Sequence, residues 1–296
     1  MQHLEEGFKD KNIFLKPIAV VVALSLSLLV IGPFITFLES LINFKSNFIN
    51  FLLLGVFVPN SILMTIFIYT FRYLYKKSFI FSINGLKNIR WKRIFYGIYI
   101  WGVIVFCQIL IGYFLNNKNY IINIELFNFL HIFLVCLIVF PIQCGFEEIF
   151  CRGYLLQVFG SWTNHRWISL VISSAVFGIL HITNPEINSY GLVEMLVNYF
   201  CIGMIFGLVT IFDDGVEIAI GAHTANNIIA CSIISFPSSV IENKNAIFYL
   251  QNVNVPSVLE TIIGMCFTGL IFISILNKKY KWRPLNEISS KILRLN

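Results

Sequence analysis

The chain has 296 residues, of which 57% are hydrophobic and 12% are charged, and its mean hydropathy is +0.80. Soluble domains carry about a quarter charged residues, so this composition excludes an ordinary soluble domain and predicts a polytopic membrane protein. The net charge of +6 is explained by basic residues in short loops, and no nucleic-acid partner is predicted.

Eight apolar stretches are long enough to cross about 30 Å of hydrocarbon as helices. In chain order they cover residues 17–40, 49–73, 94–115, 124–158, 167–184, 190–212, 216–235 and 258–277. Polar residues interrupt the fifth and seventh stretches. The runs are continuous rather than alternating, and lipid admits only helices or closed barrels. The predicted fold class is therefore all-α, a membrane helical bundle of about eight transmembrane helices.

Basic residues are divided unequally between the two sets of loops. Seventeen Lys and Arg lie in the N-terminal tail, the second and fourth loops and the C-terminal tail, against Lys45, Lys118 and Lys244 in the other loops. This bias predicts that both termini are cytoplasmic. The seven cysteines lie in or beside apolar segments without CxxC spacing, so neither disulfides nor a cysteine metal cluster is predicted.

The chain is predicted to form one domain with four parts. Residues 1–16 form a cytoplasmic tail, 17–119 the accessory helices 1–3, 120–235 a core of helices 4–7, and 236–296 a loop, helix 8 and a basic tail. The first three spans have almost no polar residue at depth. The core spans instead carry Glu147, Glu148, Arg152, His181, His223, Asn226 and Asn227.

The first polar motif is Glu147-Glu148-x-x-x-Arg152, followed by Gly153. Each charge at bilayer depth costs about 2.5 to 3.5 kcal/mol, which makes such a cluster a functional-site hypothesis. On a helix Glu148 and Arg152 share a face and can pair, while Glu147 points about 100° away. Two interpretations stay open: Glu147 is a general base for water, or the cluster is a structural pair beside a glutamate in a water cavity.

Two further motifs follow at four-residue spacing, Phe177 with His181 and His223 with Asn227. Each pair lies on one face of its helix. At about 1.5 Å per residue, Glu147 lies about 15 Å from the cytoplasmic end of its span, His181 about 20 Å and His223 about 10 Å. The depths are compatible with one shared site.

The sequence contains three motifs in this order: Glu147-Glu148-x-x-x-Arg152, Phe177-x-x-x-His181 and His223-x-x-x-Asn227. Together they resemble the motifs of the CPBP group of intramembrane proteases, also called the ABI family. The group includes type II CAAX prenyl endopeptidases and bacteriocin-processing or bacteriocin-immunity proteins. The resemblance covers about residues 120–235. It implies peptide-bond hydrolysis inside the membrane, with Glu147 activating water assisted by His181, and with His223 and Asn227 stabilising the oxyanion. Glu148, Arg152 and Phe177 would support the site.

The resemblance leaves the cofactor open, because two histidines and a glutamate are also an acceptable zinc set. The chain lacks the His-Glu-x-x-His spacing in which one helix supplies two ligands. A metal-free mechanism is favoured. If zinc is bound, Glu147, His181 and His223 are the expected ligands.

Two other functions remain open: a bacteriocin-immunity or scaffold protein that retains the site without turnover, and a proton-coupled transporter. A transporter would place polar residues in both halves as inverted repeats, whereas here they cluster in one half. Frequent Ile, Asn, Lys and Phe indicate an AT-rich, bacterial genome and hence a bacterial cytoplasmic membrane. Most bacteria make no prenylated CAAX proteins, so a membrane-bound peptide precursor or a lipid-linked peptide is expected as substrate rather than a CAAX tail.

Overall fold

The computed structural model describes residues 14–42, 48–86 and 88–282. Most of the predicted N-terminal tail and the end of the C-terminal tail lie outside these ranges. The helices in chain order are α1 (Leu15–Ile42), α2 (Phe48–Tyr75), α3 (Ile80–Ile83), α4 (Trp91–Leu115), α5 (Leu126–Thr163), α6 (Arg166–Leu180), α7 (Pro185–Tyr190), α8 (Leu192–Asp213), α9 (Glu217–Ser232) and α10 (Val258–Tyr280). The all-α prediction is confirmed.

Six helices of the described residues are long and apolar enough to cross a membrane, namely α1, α2, α4, α5, α8 and α10. They correspond to six of the eight predicted spans. The predicted fifth and seventh spans correspond to α6 and α9, which have 15 and 16 residues. At 1.5 Å per residue these two helices extend about 22 to 24 Å, less than the hydrocarbon thickness. The count of eight full spans therefore stays a prediction.

Two of the long helices contain a π-helical turn, Phe51–Phe57 within α2 and Ile149–Leu155 within α5. A π-helical turn replaces the usual backbone hydrogen bonds with i→i+5 bonds and is frequent at functional sites. The turn in α5 begins directly after Glu148. The polar motif therefore lies across a junction between α-helical and π-helical backbone.

Helix α9 crosses α4 at very short range because both helices present a glycine at the crossing. A Cβ on Gly97 would press into the backbone carbonyl of Ile218, and one on Gly221 into that of Ile94. Small residues allow this approach of helix backbones in membranes. Residues of α4, α8, α9 and α10 then form one buried apolar cluster. The crossing holds α9, which carries His223 and Asn227, at the centre of the bundle.

We expect Gly221→Ala to lower the thermal unfolding midpoint, by overpacking worth about 1 to 3 kcal/mol. The added methyl would meet backbone atoms of Ile94, which cannot rotate away as a flexible side chain could. Gly264→Ala in α10 is the matched control, because no atom lies within 4 Å of its added Cβ. Equal midpoints for the two variants in detergent would contradict the close crossing.

At one end of the bundle an ion-pair network joins the start of α4 to the turn between α8 and α9. Arg90 Nη2 lies 2.6 Å from Glu217 Oε2 and 3.1 Å from Asp213 Oδ2, and Arg93 Nη1 lies 2.5 Å from Asp213 Oδ1. Burial lowers the pKa of Arg90, but the hydrogen bonds and charge of Glu217 raise it above its ordinary value overall. Two basic residues of the predicted second loop thus form ion pairs with acidic residues of the protein itself.

The opposite end carries a three-stranded sheet in the order β1–β3–β2, formed by Tyr120–Ile122, Phe248–Leu250 and Ile234–Ser235. The central strand β3 pairs antiparallel with β1 and parallel with β2. The segment between α9 and α10 also covers α7, because Val240 N donates to Glu186 Oε1 at 2.7 Å. The two ends match the two predicted sets of loops, and which end is cytoplasmic stays a prediction.

Candidate active site

Glu148 is the most buried residue of the first motif, and one of its carboxylate oxygens contacts both Arg152 and His223. Its Oε1 accepts from Arg152 Nη1 at 2.9 Å and lies 2.7 Å from His223 Nδ1. The side chains of Glu148 and Arg152 are 0% and 1% exposed. The predicted Glu148–Arg152 pair is therefore present, and the same oxygen also fixes the His223 ring. One carboxylate joins α5 to α9.

Glu147 lies beside this pair but on a more accessible face, with its side chain 21% exposed. Its Oε1 accepts a hydrogen bond from Gln143 Nε2 at 2.9 Å. Its Oε2 lies 4.0 Å from His181 Nε2 and 3.9 Å from His223 Nε2. That oxygen is buried and has no hydrogen-bond partner among the described residues. The free carboxylate oxygen thus faces two imidazole nitrogens across a gap too long for direct hydrogen bonds.

The ring of His181 is held on three sides. Its Nδ1 bonds the carbonyl oxygen of Phe177 at 2.7 Å, so Nδ1 carries the proton and Nε2 faces Glu147. The Phe177 and Tyr199 rings each lie 4.4 Å from the imidazole, centroid to centroid. Asn184 Nδ2 in turn donates to the Tyr199 hydroxyl at 2.9 Å. The orientation of His181 is therefore set by its own helix and by α8.

Phe177 also links His181 to the buried ion pair. The guanidinium carbon of Arg152 lies 3.8 Å from the centre of the Phe177 ring, which is the geometry of a cation–π contact. Phe177 is itself 2% exposed. Its place in the second motif is thus explained by two contacts, one with Arg152 and one with the ring of His181.

Asn227 lies one turn after His223 on α9 and reaches the same cluster. Its Nδ2 donates to Gln143 Oε1 at 3.4 Å, and its Oδ1 accepts from Asn226 Nδ2 at 3.3 Å. The structure therefore brings together all the predicted site residues, Glu147, Glu148, Arg152, Phe177, His181, His223 and Asn227.

The donor types of Glu147, His181 and His223 fit zinc, and a carboxylate behind His223 is a common arrangement around metal-bound histidine. Their spacing is wider than zinc requires. Ligand bonds of about 2.0 to 2.1 Å at tetrahedral angles place donor atoms about 3.3 to 3.4 Å apart. The two measured separations are 3.9 and 4.0 Å. Zinc binding would need the side chains to close by about half an ångström.

Sequence reasoning missed Gln143 and Tyr199, which contact Glu147 and His181 directly. Gln143 precedes Glu147 by four residues, and this helical spacing was the available signal. Tyr199 lies on α8, and no spacing along the chain relates it to His181. Its role depends on how α6 and α8 pack.

The fold and this cluster together define an integral, multi-pass membrane protein with a polar site buried among its helices. Residues 127–229 match the sequence model of the family described as "Rce1-like: Type II CAAX prenyl endopeptidase Rce1-like". The resemblance predicted from the three motifs is confirmed over this segment, which contains every residue of the site. The matched family is a peptidase family.

One relative is a Bacillus subtilis (strain 168) protein described as "Uncharacterized protein YyaK". It is 32% identical over 186 residues, which are 62% of this chain and 61% of the relative. The chain thus spans about three fifths of the length of this relative. No solved structure matches the chain. A bacterial relative is consistent with the predicted bacterial membrane.

Proposed function

We propose that the protein is an intramembrane endopeptidase that hydrolyses a peptide bond of a membrane-associated protein or peptide precursor with a glutamate-activated water. The observation that carries the proposal is the position of Glu147 Oε2. It is buried, lacks a partner among the described residues, and lies about 4 Å from two histidine nitrogens. The match to a peptidase family over residues 127–229 supports the same conclusion.

The proposed reaction begins with a water between Glu147 and His181. Two polar atoms 4.0 Å apart can both bind one water at about 2.8 Å. Glu147 takes a proton from this water while the water oxygen attacks the scissile carbonyl carbon. The tetrahedral oxyanion then collapses, the C–N bond breaks, and the proton passes from Glu147 to the leaving amine. The products are a carboxylic acid and an amine, and transfer of the acid proton to the amine gives a carboxylate and an ammonium group.

His223 and Asn227 would stabilise the developing negative charge. Asn227 carries two N–H groups, of which one reaches Gln143, so the second can donate to an oxyanion. Donation from His223 Nε2 requires a doubly protonated ring, whose positive charge the Glu148 carboxylate would balance at 2.7 Å. Glu148 and Arg152 act on the reaction only through His223 and Phe177.

The test is a cleavage assay with the purified full chain in proteoliposomes. Peptides of varied sequence, each anchored by one apolar helix, would be incubated with the protein and new termini identified by mass spectrometry. We expect defined cleavage products that are absent with the Glu147→Gln variant. Equal products from both proteins would sink the proposed mechanism.

We propose that this hydrolysis needs no metal, because Glu147 Oε2 lies farther from each histidine nitrogen than two ligands of one zinc ion lie from each other. We expect activity to survive prolonged treatment with a strong zinc chelator, and the protein to carry less than one zinc per chain by elemental analysis. Loss of activity on chelation with recovery on adding zinc would overturn this. Glu147, His181 and His223 would then be assigned as ligands.

A further inference from the structure

A chain of hydrogen bonds runs from helix α4 to the proposed general base. Trp101 Nε1 donates to Asn226 Oδ1 at 3.2 Å, and Asn226 Nδ2 donates to Asn227 Oδ1 at 3.3 Å. Asn227 Nδ2 donates to Gln143 Oε1 at 3.4 Å, and Gln143 Nε2 donates to Glu147 Oε1 at 2.9 Å. Three amides thus lie in series between an indole and a carboxylate.

The two ends of this chain fix its direction. An indole N–H can only donate a hydrogen bond, and an ionised carboxylate can only accept one. With a donor at Trp101 and an acceptor at Glu147, each amide in between has to accept from its neighbour on the indole side and donate toward the carboxylate. Flipping any one of the three amides would bring two donors together at the contact on its indole side and two acceptors together at the contact on its carboxylate side.

This direction matters at Asn227. An unflipped Asn227 donates one N–H of its NH₂ group to Gln143, so its second N–H remains available to an oxyanion. A flipped Asn227 would present its carbonyl oxygen there and repel the same charge. The direction also matters at Glu147, because Gln143 engages Oε1 and leaves Oε2 facing the histidines.

We infer that Trp101, Asn226 and Gln143 form a directional hydrogen-bond chain that positions Asn227 as an oxyanion donor and Glu147 as a base. This inference rests on the proposed function and adds to it a role for α4, which sequence reasoning had assigned to accessory structure. Trp101 is well placed for this role, because it is 3% exposed and its ring packs edge-on against Phe206 and Phe272. The position of its indole N–H is therefore fixed by this packing.

The first test changes each end of the chain while keeping its shape. Trp101→Phe removes the terminal donor, and Gln143→Met removes both contacts of that amide at similar side-chain length. We expect kcat to fall about tenfold or more in each variant, with KM within about twofold, as for misplaced catalytic groups. Because the chain acts as one unit, the double variant should lose no more than the larger single loss.

Matched controls separate this from general damage. Trp167→Phe changes a half-exposed tryptophan of α6, and Gln108→Met changes an amide of α4 that donates to Thr268 at 2.8 Å. Both should keep wild-type kcat. Asn226→Asp is a more specific test, because an aspartate can still accept a hydrogen bond from Trp101 but cannot donate one to Asn227. It should lose activity although the hydrogen bonds of Asn226 are with Trp101 and Asn227 and not with Glu147.

A second measurement does not depend on turnover. In ¹⁵N-tryptophan-labelled protein, the Trp101 indole resonance is identified by its absence in Trp101→Phe. We expect this resonance to shift in Gln143→Met, three amides away, and to stay unchanged in Gln108→Met. An unshifted resonance in Gln143→Met, or full kcat in a folded Trp101→Phe, overturns the inference. Full activity of Glu147→Gln would instead overturn the proposed function.

Discussion

Glu147→Gln is expected to lower the rate of peptide-bond cleavage by about 10²- to 10⁴-fold, the usual contribution of a positioned general base. Glutamine has nearly the same shape, and its carbonyl oxygen can still accept the hydrogen bond from Gln143. It cannot take a proton from water. The thermal unfolding midpoint should therefore stay near the wild-type value while cleavage in proteoliposomes is lost.

The matched control is Glu125→Gln, the same chemical change at an exposed position at the start of the same helix. It should cleave as the wild type does. If Glu147→Gln retained full activity, or if Glu125→Gln lost as much, Glu147 could not be the base. Loss of activity together with a large drop in the unfolding midpoint would instead assign Glu147 a structural role.

Arg152→Met should destabilise the protein by about 3 to 5 kcal/mol, because it leaves the Glu148 carboxylate buried without its cation. Glu148 is 0% exposed, so its charge cannot be hydrated without opening the bundle. Methionine keeps the apolar stem of the side chain but removes the guanidinium group, and with it the cation–π contact with Phe177. The loss should therefore report the missing charge and its contact with this ring. Unfolding followed by denaturant or heat in detergent measures it.

A double variant separates charge from packing. Arg152→Met combined with Glu148→Gln removes both members of the pair, and we expect it to recover part of the lost stability. It should not recover cleavage, because His223 would no longer face a carboxylate. Arg72→Met, at an exposed position of α2, should leave stability unchanged. If Arg152→Met alone were as stable as the wild type, this would contradict the assigned role of the ion pair.

The sequence is most informative where a contact lies within one helix. The spacing of Glu148 and Arg152 predicts a shared face, and the structure places their atoms 2.9 Å apart. Contacts between helices follow from packing that no local pattern encodes. The bond from His223 to Glu148, the stacking of Tyr199 on His181 and the approach of Trp101 to Asn226 all belong to this second kind.

Backbone features were missed for a different reason. The π-helical turn after Glu148 follows a sequence that reads as ordinary apolar helix, and hydropathy does not distinguish i→i+4 from i→i+5 bonds. The three strands β1 to β3 have only two or three residues each, too few for an alternating pattern. Length also explains why the predicted fifth and seventh spans do not appear as full membrane spans, since α6 and α9 are shorter than a bilayer requires.

The shortness of α6 and α9 has a consequence for how the chain enters the membrane. Insertion machinery accepts a segment according to its own apolarity. Helix α6, which ends directly before His181, and helix α9, which carries His223, are both too short to supply the apolar residues of a full span. Each follows a long apolar helix after a brief turn, α6 after α5 and α9 after α8. We expect each to enter as the second arm of a helical hairpin, so that the two histidines of the proposed site reach the lipid only together with a more apolar neighbouring helix.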